Sequence, residues 1–172
     1  MKLYVITGTC GAGKSTMKDY LSDTMNSEMY ACVDSDEVGL NWWEYAGTEK
    51  ESKYGEDTLK RAVKIANGKN LIFVSCLNPI DYFQKIDPPK EIESSFFIAL
   101  NPTDETIQRR LKARPVERGF TTDEIIRPHI EYNGWFRRNR SKFQLVIDNT
   151  EISEEETSKI IASFIRRQDS EY

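Results

Sequence analysis

A glycine-rich run near the amino terminus has the residue types and spacing of a phosphate-binding loop. Residues 8–15 read Gly-Thr-Cys-Gly-Ala-Gly-Lys-Ser and match the pattern G-x-x-x-x-G-K-[ST] in full. The glycines allow backbone conformations that turn successive amide N–H groups toward one anion. Lys14 adds a point charge for the β- and γ-phosphates of ATP, and the hydroxyl of Ser15 is a ligand for Mg²⁺. The residues predicted to bind the nucleotide here are Gly8, Thr9, Cys10, Gly11, Ala12, Gly13, Lys14, Ser15 and Thr16.

The alternative for this run is a glycine-rich turn between a strand and a helix that binds no ligand. An apolar run precedes it and a helical pattern follows it, which is the context that a phosphate loop requires. The phosphate loop is therefore the favoured interpretation. For Cys10, inside the loop, a filler position is favoured over a redox role.

Two carboxylates follow the second apolar run, at Asp34 and Asp36. An enzyme that transfers phosphate needs a carboxylate at such a position to hold Mg²⁺, directly or through water, or to accept the proton of an attacking hydroxyl. Alternation along a strand would aim both side chains to the same side, toward the phosphate loop. We predict catalytic roles for Lys14, Asp34 and Asp36, and metal binding by Ser15 and Asp34. A helix cap is the alternative for the two acids.

Two arginines, Arg110 and Arg114, lie four residues apart and are predicted to share one face of a helix that Pro115 ends. A guanidinium on a short closing loop can neutralise the charge that phosphoryl transfer leaves on equatorial oxygens. Closure of such a loop also excludes water. We predict that Arg114 is catalytic, and the alternative is a solvated basic helix end.

Strands and helices alternate along the chain in a pattern typical of a three-layer α/β fold with a parallel sheet. Asn101 is expected to cap the helix that carries the arginines, with Pro102 at its first position. Capping boxes at residues 121–124 and 153–156 announce two further helices. A helix is also predicted over residues 15–26. The five predicted strands are Lys2–Thr7, Met29–Asp34, Asn70–Leu77, Ser95–Leu100 and Phe143–Asp148.

The composition fits one domain spanning residues 1–172. The net charge of −4, from 24 basic and 28 acidic residues, argues against a broad surface for nucleic acid. No apolar stretch reaches the ~20 residues that a membrane span needs, so we expect a soluble protein. Three widely spaced cysteines favour reduced thiols and a cytoplasmic location over a zinc site or a disulfide.

The chain resembles the small P-loop kinases, which include nucleoside-monophosphate, shikimate, gluconate and adenylyl-sulfate kinases and chloramphenicol phosphotransferase. The residues that carry the resemblance are those of the phosphate loop, the two acids and the arginine pair. It implies a five-stranded parallel sheet of order 2-3-1-4-5 with helices on both faces, a lid at about residues 114–122 and an acceptor-binding segment at about 36–60. It also implies that Arg110 lies near the adenine, Arg114 near the transferred phosphate and residues 148–150 against the adenine.

One departure from the family narrows the predicted reaction. Kinases of the adenylate type end their third strand in Asp-Gly-x-Pro-Arg, whereas residues 74–79 here read Val-Ser-Cys-Leu-Asn-Pro. The missing arginine disfavours a nucleotide phosphate as acceptor, so we predict transfer of the γ-phosphate of Mg-ATP to a hydroxyl of a small molecule. The alternatives are a nucleoside or nucleotide kinase, a polynucleotide 5′-hydroxyl kinase and a nucleotide-binding regulatory ATPase switch.

Three further residues could contribute to the site. Trp42 and Trp43 fall in the predicted acceptor segment, where they could stack on a ring, but a core position is favoured for each. His129 is the only histidine, and a surface or capping role is favoured over catalysis.

Overall fold

Five parallel strands form a single sheet in the order β2-β3-β1-β4-β5. The structure is a computed structural model that describes residues 1–170, so the last two residues of the predicted 1–172 domain lie outside the described residues. The predicted α/β fold class and the strand order 2-3-1-4-5 are confirmed. The strands are β1 (Lys2–Thr7), β2 (Tyr30–Asp34), β3 (Asn70–Val74), β4 (Ser94–Leu100) and β5 (Leu145–Ile147).

Helices connect the strands, as parallel pairing requires. They are α1 (Lys14–Thr24), α2 (Tyr54–Ala66), α3 (Pro79–Lys85), α4 (Asp104–Lys112), α5 (Asp123–Arg138) and α6 (Glu154–Ser170). Short 3₁₀ turns at Ser35–Glu37, Trp42–Glu44, Glu51–Lys53, Val116–Arg118 and Arg140–Lys142 lie in the connections. None of the helices within residues 1–170 is long and apolar enough to cross a membrane.

The sheet is buried on both faces, because its strands alternate between two apolar clusters. On β1, Tyr4 and Ile6 belong to the cluster that packs under α1 and α6, whereas Leu3 and Val5 belong to the cluster under α2. All four side chains are fully buried. This two-sided burial explains why the strands read as continuous apolar runs.

The carboxyl ends of three neighbouring strands lie in one row. Asp34 at the end of β2 pairs with Val74 at the end of β3, and Val74 pairs with Ile6 near the end of β1. The glycine-rich loop follows β1 directly. The fold therefore brings this loop and the first acid to the same edge of the sheet.

Several predicted element ends are wrong by a few residues. Helix α4 is capped by Thr103, whose hydroxyl accepts from the amide of Thr106, and not by Asn101. The amide group of Asn101 is buried and donates to Asn133 on α5 instead. Because α4 ends at Lys112, Arg114 lies beyond the helix and does not share a helical face with Arg110.

The remaining differences concern lengths and one missed helix. Strands β3 and β5 are shorter than predicted, and α1 ends two residues before Asn26. Thr122 and not Thr121 caps α5, whereas Ser153 accepts from the amide of Glu156 as a capping box requires. Helix α3, which begins at Pro79 behind an Asn78 cap, had no prediction.

Candidate active site

The glycine-rich loop needs glycine for two separate reasons. Gly11 and Gly13 have φ angles of 84° and 101°, in the left-handed region that disfavours other residues. A Cβ on Gly8 would lie 2.7 Å from the carbonyl oxygen of Leu100, so the chain passes β4 too closely for a side chain. Gly13 is also the first residue before α1, so the loop opens onto the amide groups of a helix N-terminus. This arrangement fits an anion such as a nucleotide phosphate.

Lys14 lies across its own loop. Its Nζ donates to the carbonyl oxygens of Gly8 and Thr9, at 2.7 and 3.0 Å. The ammonium group is therefore held beside the loop by two backbone acceptors, which are weaker partners than a phosphate.

Ser15 and Asp34 meet directly. The hydroxyl of Ser15 donates to Oδ2 of Asp34 at 3.0 Å, and Oδ1 of the same carboxylate accepts from the amide of Asp36 at 3.0 Å. Burial raises the pKa of Asp34, although these two hydrogen bonds favour its charged form and partly oppose the effect. The two oxygens fit Mg²⁺, which takes one or two protein ligands together with substrate phosphates and water. Residues 1–170 contain no group of three or more His, Cys, Asp or Glu that could hold a metal by itself.

Asp36 occupies a different environment from Asp34. It is exposed and lies on the 3₁₀ turn that Asp34 caps. The strand ends at Asp34, so the expectation that alternation along a strand would point both acids to the same side is wrong. The capping alternative is observed for Asp34, and it coexists with the contact to Ser15.

A cleft of about 480 Å³ joins these parts of the molecule. Ser15, Asp34 and Asp36 line it together with Arg114 and Arg118, which belong to the predicted lid. The structure thus brings four sequence-predicted site residues to one cavity. Arg118 is an additional guanidinium there for which the sequence predicted no role.

Arg110 contacts the back of the phosphate loop. Its Nη2 donates to the carbonyl oxygen of Asn149 at 3.0 Å, and its Nη1 lies 3.4 Å from the carbonyl oxygens of Gly11 and Ala12. The side-chain amide of Asn149 also donates to Ala12, at 2.9 Å. Arg110 and Asn149 therefore brace the loop together.

His129 contacts the site in a way that the sequence did not indicate. Its backbone oxygen accepts from the hydroxyl of Thr9 at 2.9 Å, and its ring lies edge-to-face with Phe120 at 5.4 Å. Burial lowers the pKa of His129, and the positive charges of Lys14 and Arg114 lower it further. His129 lies on α5 and belongs to no recognisable motif, so the sequence did not indicate this placement.

The two tryptophans of the predicted acceptor segment lie outside the core, whereas Tyr45 of the same segment is buried. The side chain of Trp43 is 84% exposed and that of Trp42 40%, so the core interpretation is wrong for both. Trp42 and Tyr45 each pack edge-on against Tyr54, at 5.1 Å between ring centroids. Burial raises the pKa of Tyr54, with a further contribution from the nearby charge of Asp36. The aromatic group therefore borders the acidic side of the site.

Comparison with known proteins identifies the family and the fold. A family model described as an AAA domain matches residues 5–127. Comparison with curated protein sequences finds no match. The predicted resemblance to small P-loop kinases is confirmed by solved structures of that group.

Three of these structures match nearly the whole chain. A shikimate kinase from Acinetobacter baumannii in complex with shikimate has 15% identity and a TM-score of 0.62, with 98% of this chain and 94% of that chain covered. A deoxyadenosine kinase from M. mycoides with bound dATP has 21% identity and a TM-score of 0.62, with 96% and 100% covered. A shikimate kinase from Aquifex aeolicus has 20% identity and a TM-score of 0.59, with 98% of both chains covered.

Proposed function

Because this chain belongs to the AAA domain family and has the fold of the small P-loop kinases, we propose that it transfers the γ-phosphate of ATP to a hydroxyl of a small molecule. The observation that carries the proposal is the cleft that joins Ser15 and both acids to the lid arginines. Nucleotide binding alone does not need acids and arginines around one cleft, whereas phosphoryl transfer does.

Each side chain has one role in the proposed reaction. Lys14 exchanges its two carbonyl partners for phosphate oxygens, and the loop amides bind the same phosphates. Ser15 and Asp34 would hold Mg²⁺, which neutralises phosphate charge. Arg114, which lines the cleft, would neutralise the charge on the transferred group.

We assign the proton-accepting role to Asp36. Both oxygens of Asp34 are engaged, by Ser15 and by the amide of Asp36, whereas the carboxylate of Asp36 is exposed at the cleft. An acceptor hydroxyl in the cleft could therefore reach Asp36 without displacing a partner.

The predicted acceptor segment favours a ring-bearing molecule without its own phosphate. Residues 36–60 contain no arginine, and the guanidinium of Arg61 donates to the backbone oxygens of Val38 and Gly39. The rings of Trp42 and Tyr54 provide apolar surface beside Asp36. Of the solved structures named above, one contains shikimate and one contains dATP, and both molecules contain rings.

The proposed adenine site is at the loop after β5. Oδ1 of Asn149 is buried and has no partner within residues 1–170, while its amide and backbone oxygen bind Ala12 and Arg110. This oxygen offers an acceptor for the amino group of adenine. The predicted contact of Arg110 with the adenine is part of the same proposal.

Calorimetric titration with Mg-ATP tests the premise, and ATP consumption in a mixed metabolite extract tests the reaction. Binding followed by faster consumption with the small-molecule fraction supports the kinase. Acceleration by a protein fraction alone would indicate a regulatory ATPase, and acceleration by short oligonucleotides a polynucleotide kinase. Absence of binding at millimolar Mg-ATP would overturn the proposal.

A further inference from the structure

A row of three side chains connects the lid to the phosphate loop. The guanidinium carbon of Arg114 lies 5.2 Å from the centre of the Phe120 ring, and the Phe120 ring lies 5.4 Å from that of His129. The backbone oxygen of His129 accepts from the hydroxyl of Thr9. The row therefore begins at the lid and ends inside the loop.

The side chain of Arg114 has few partners other than the Phe120 ring. It lies past the end of α4, and within residues 1–170 its guanidinium has no hydrogen bond or ion pair. Among the described residues, the Phe120 face is the one group in specific contact with this guanidinium. Cation–π contacts are worth roughly 0.5–2 kcal/mol depending on burial, which favours the guanidinium position over the ring.

The backbone of the lid brings Phe120 back toward Arg114. Residues Val116–Arg118 form a 3₁₀ turn that ends at Gly119, whose φ of 82° is in the left-handed region. A Cβ at Gly119 would meet no atom within 4 Å, so glycine is required there for its backbone angle and not for space. The turn is thus built to fold the lid onto itself.

We propose that Phe120 and His129 are positioning residues that hold the Arg114 guanidinium over the γ-phosphate by fixing it relative to Thr9. This inference rests on the proposed function. Phe120 supplies the aromatic face, and His129 supports that ring from α5. Because Thr9 belongs to the loop that binds the phosphates, the row sets the distance from the arginine to the nucleotide.

The charges around His129 agree with a supporting role. The charged groups that face it are Lys14 from α1 and Arg114 from the lid, and both are positive. A neutral imidazole packs against Phe120 without adding a third positive charge. A neutral His129 therefore does not repel Lys14 and Arg114, the two cations that are proposed to bind phosphate.

The test compares the affinities for Mg-ATP and Mg-ADP, which differ by the phosphate that Arg114 is proposed to contact. Phe120→Leu keeps an apolar side chain of similar size but removes the aromatic face. We expect the preference for ATP over ADP to fall about tenfold, equivalent to about 1.4 kcal/mol, with the ADP affinity nearly unchanged. Phe120→Trp is expected to restore the preference.

Arg114→Ala and the double variant Arg114→Ala/Phe120→Leu complete the experiment. If Phe120 acts through Arg114, its substitution has no further effect once the arginine is removed. Phe83→Leu on α3 is the matched control, because this phenylalanine is 69% exposed and lies outside the cleft. His129→Ala is expected to lower the ATP preference less than Phe120→Leu does.

The outcomes separate this inference from the proposed function. Equal loss of ATP and ADP affinity in Phe120→Leu, or an undiminished effect in the Arg114→Ala background, would overturn the positioning role. A wild-type protein that binds ATP and ADP equally would overturn it as well. If wild-type protein binds neither nucleotide, the proposed function itself is wrong.

Discussion

Lys14 is the residue whose loss is expected to have the largest effect on nucleotide binding. Its ammonium group donates to two backbone carbonyls of the loop, so its removal takes away both these hydrogen bonds and the positive charge. We expect Lys14→Ala to weaken Mg-ATP binding by roughly 30-fold or more, since charge-assisted bonds to phosphate are about twice as strong as neutral ones. Calorimetric titration measures this. Lys159→Ala, on an exposed lysine of α6, should bind normally.

The two acids are expected to respond differently to substitution. Asp36→Asn should keep Mg-ATP affinity and lose transfer by about 100-fold or more, since it removes only the proton acceptor. Asp34→Asn should raise the Mg²⁺ concentration needed for half-maximal ATP binding by about tenfold, since it weakens a metal partner. Magnesium titrations at fixed ATP, together with ATP consumption in the active metabolite fraction, measure both effects. If both Asn variants behaved like wild type, the roles given to the acids would be wrong.

The lowered pKa of His129 leads us to predict that the free energy of unfolding depends on pH. Its pKa is lowered in the folded protein, chiefly by burial and then by Lys14 and Arg114. Below pH ~6.5 the unfolded chain therefore binds a proton that the folded protein resists, and the free energy of unfolding falls as the pH falls toward the folded pKa. His129→Gln should remove this part of the loss. Urea unfolding of both proteins at pH 7.5 and 5.5 measures the difference, and parallel losses would contradict it.

At the scale of single residues, the sequence was sufficient to predict the phosphate loop from its motif, but not the contacts between residues far apart in the chain. The loop motif is recognisable in the sequence because its ligand-binding residues are consecutive. Thr9 and His129 are 120 positions apart and meet only because α5 packs beside the loop. A backbone acceptor on a helix carries no sequence signature, so this contact could not be predicted.

At the scale of elements, α4 and the loop after β5 support the phosphate loop from behind. Arg110 on α4 donates to Asn149 and lies near the oxygens of Gly11 and Ala12. We expect Arg110→Met, which keeps much of the apolar stem, to lower Mg-ATP affinity and reduce the free energy of unfolding by about 1–2 kcal/mol. Arg109→Met, on the exposed neighbour, is the matched control. Nucleotide titration and urea unfolding of the pair measure the effect, and equal behaviour of the two variants would show that the brace is unimportant.

The ends of elements were harder to predict than the elements themselves. Asn101, Thr103 and Thr122 all belong to residue types that cap helices, so local preference alone does not choose among adjacent candidates. The choice at α4 is decided by Asn101, whose side chain is engaged by Asn133 of α5. The other end of α4 also differs from the prediction, because the helix ends at Lys112 and leaves Arg114 beyond it.

At the scale of the whole molecule, the alternation of apolar runs and helical patterns was sufficient for the fold class, and the family resemblance supplied the strand order. The two apolar clusters on opposite faces of the sheet account for this success, because burial on both faces leaves a strong signal in every strand. The exposed tryptophans show the limit of that reasoning. Aromatic character predicted burial for Trp43, whereas its side chain is exposed on the 3₁₀ turn Trp42–Glu44.

Asp169 on α6 links the last helix to the first two strands, β1 and β2. Its carboxylate accepts from the hydroxyl of Tyr4 at 2.6 Å and from that of Tyr30, and it pairs with Lys2 at 3.1 Å. Although burial opposes ionisation, the hydrogen bonds from the two tyrosines and the lysine hold the pKa of Asp169 below its ordinary value. Its contribution to stability is therefore present above pH ~4 and is lost as the pH falls through the folded pKa.

Asp169→Asn should lower the free energy of unfolding by about 1–2 kcal/mol at pH 7, because an amide accepts fewer hydrogen bonds and has no charge for Lys2. As the pH falls from about 4 through the lowered pKa of folded Asp169, the difference between the variant and the wild type should shrink, since the wild-type carboxylate becomes protonated. Urea unfolding across pH 3 to 7 measures this, with Asp23→Asn on an exposed site of α1 as the control. Nucleotide affinity should be unchanged, because Asp169 does not line the cleft that contains Ser15 and Asp34. A stability loss that persists undiminished at pH 3 would show that packing, and not the carboxylate charge, holds α6 against the sheet.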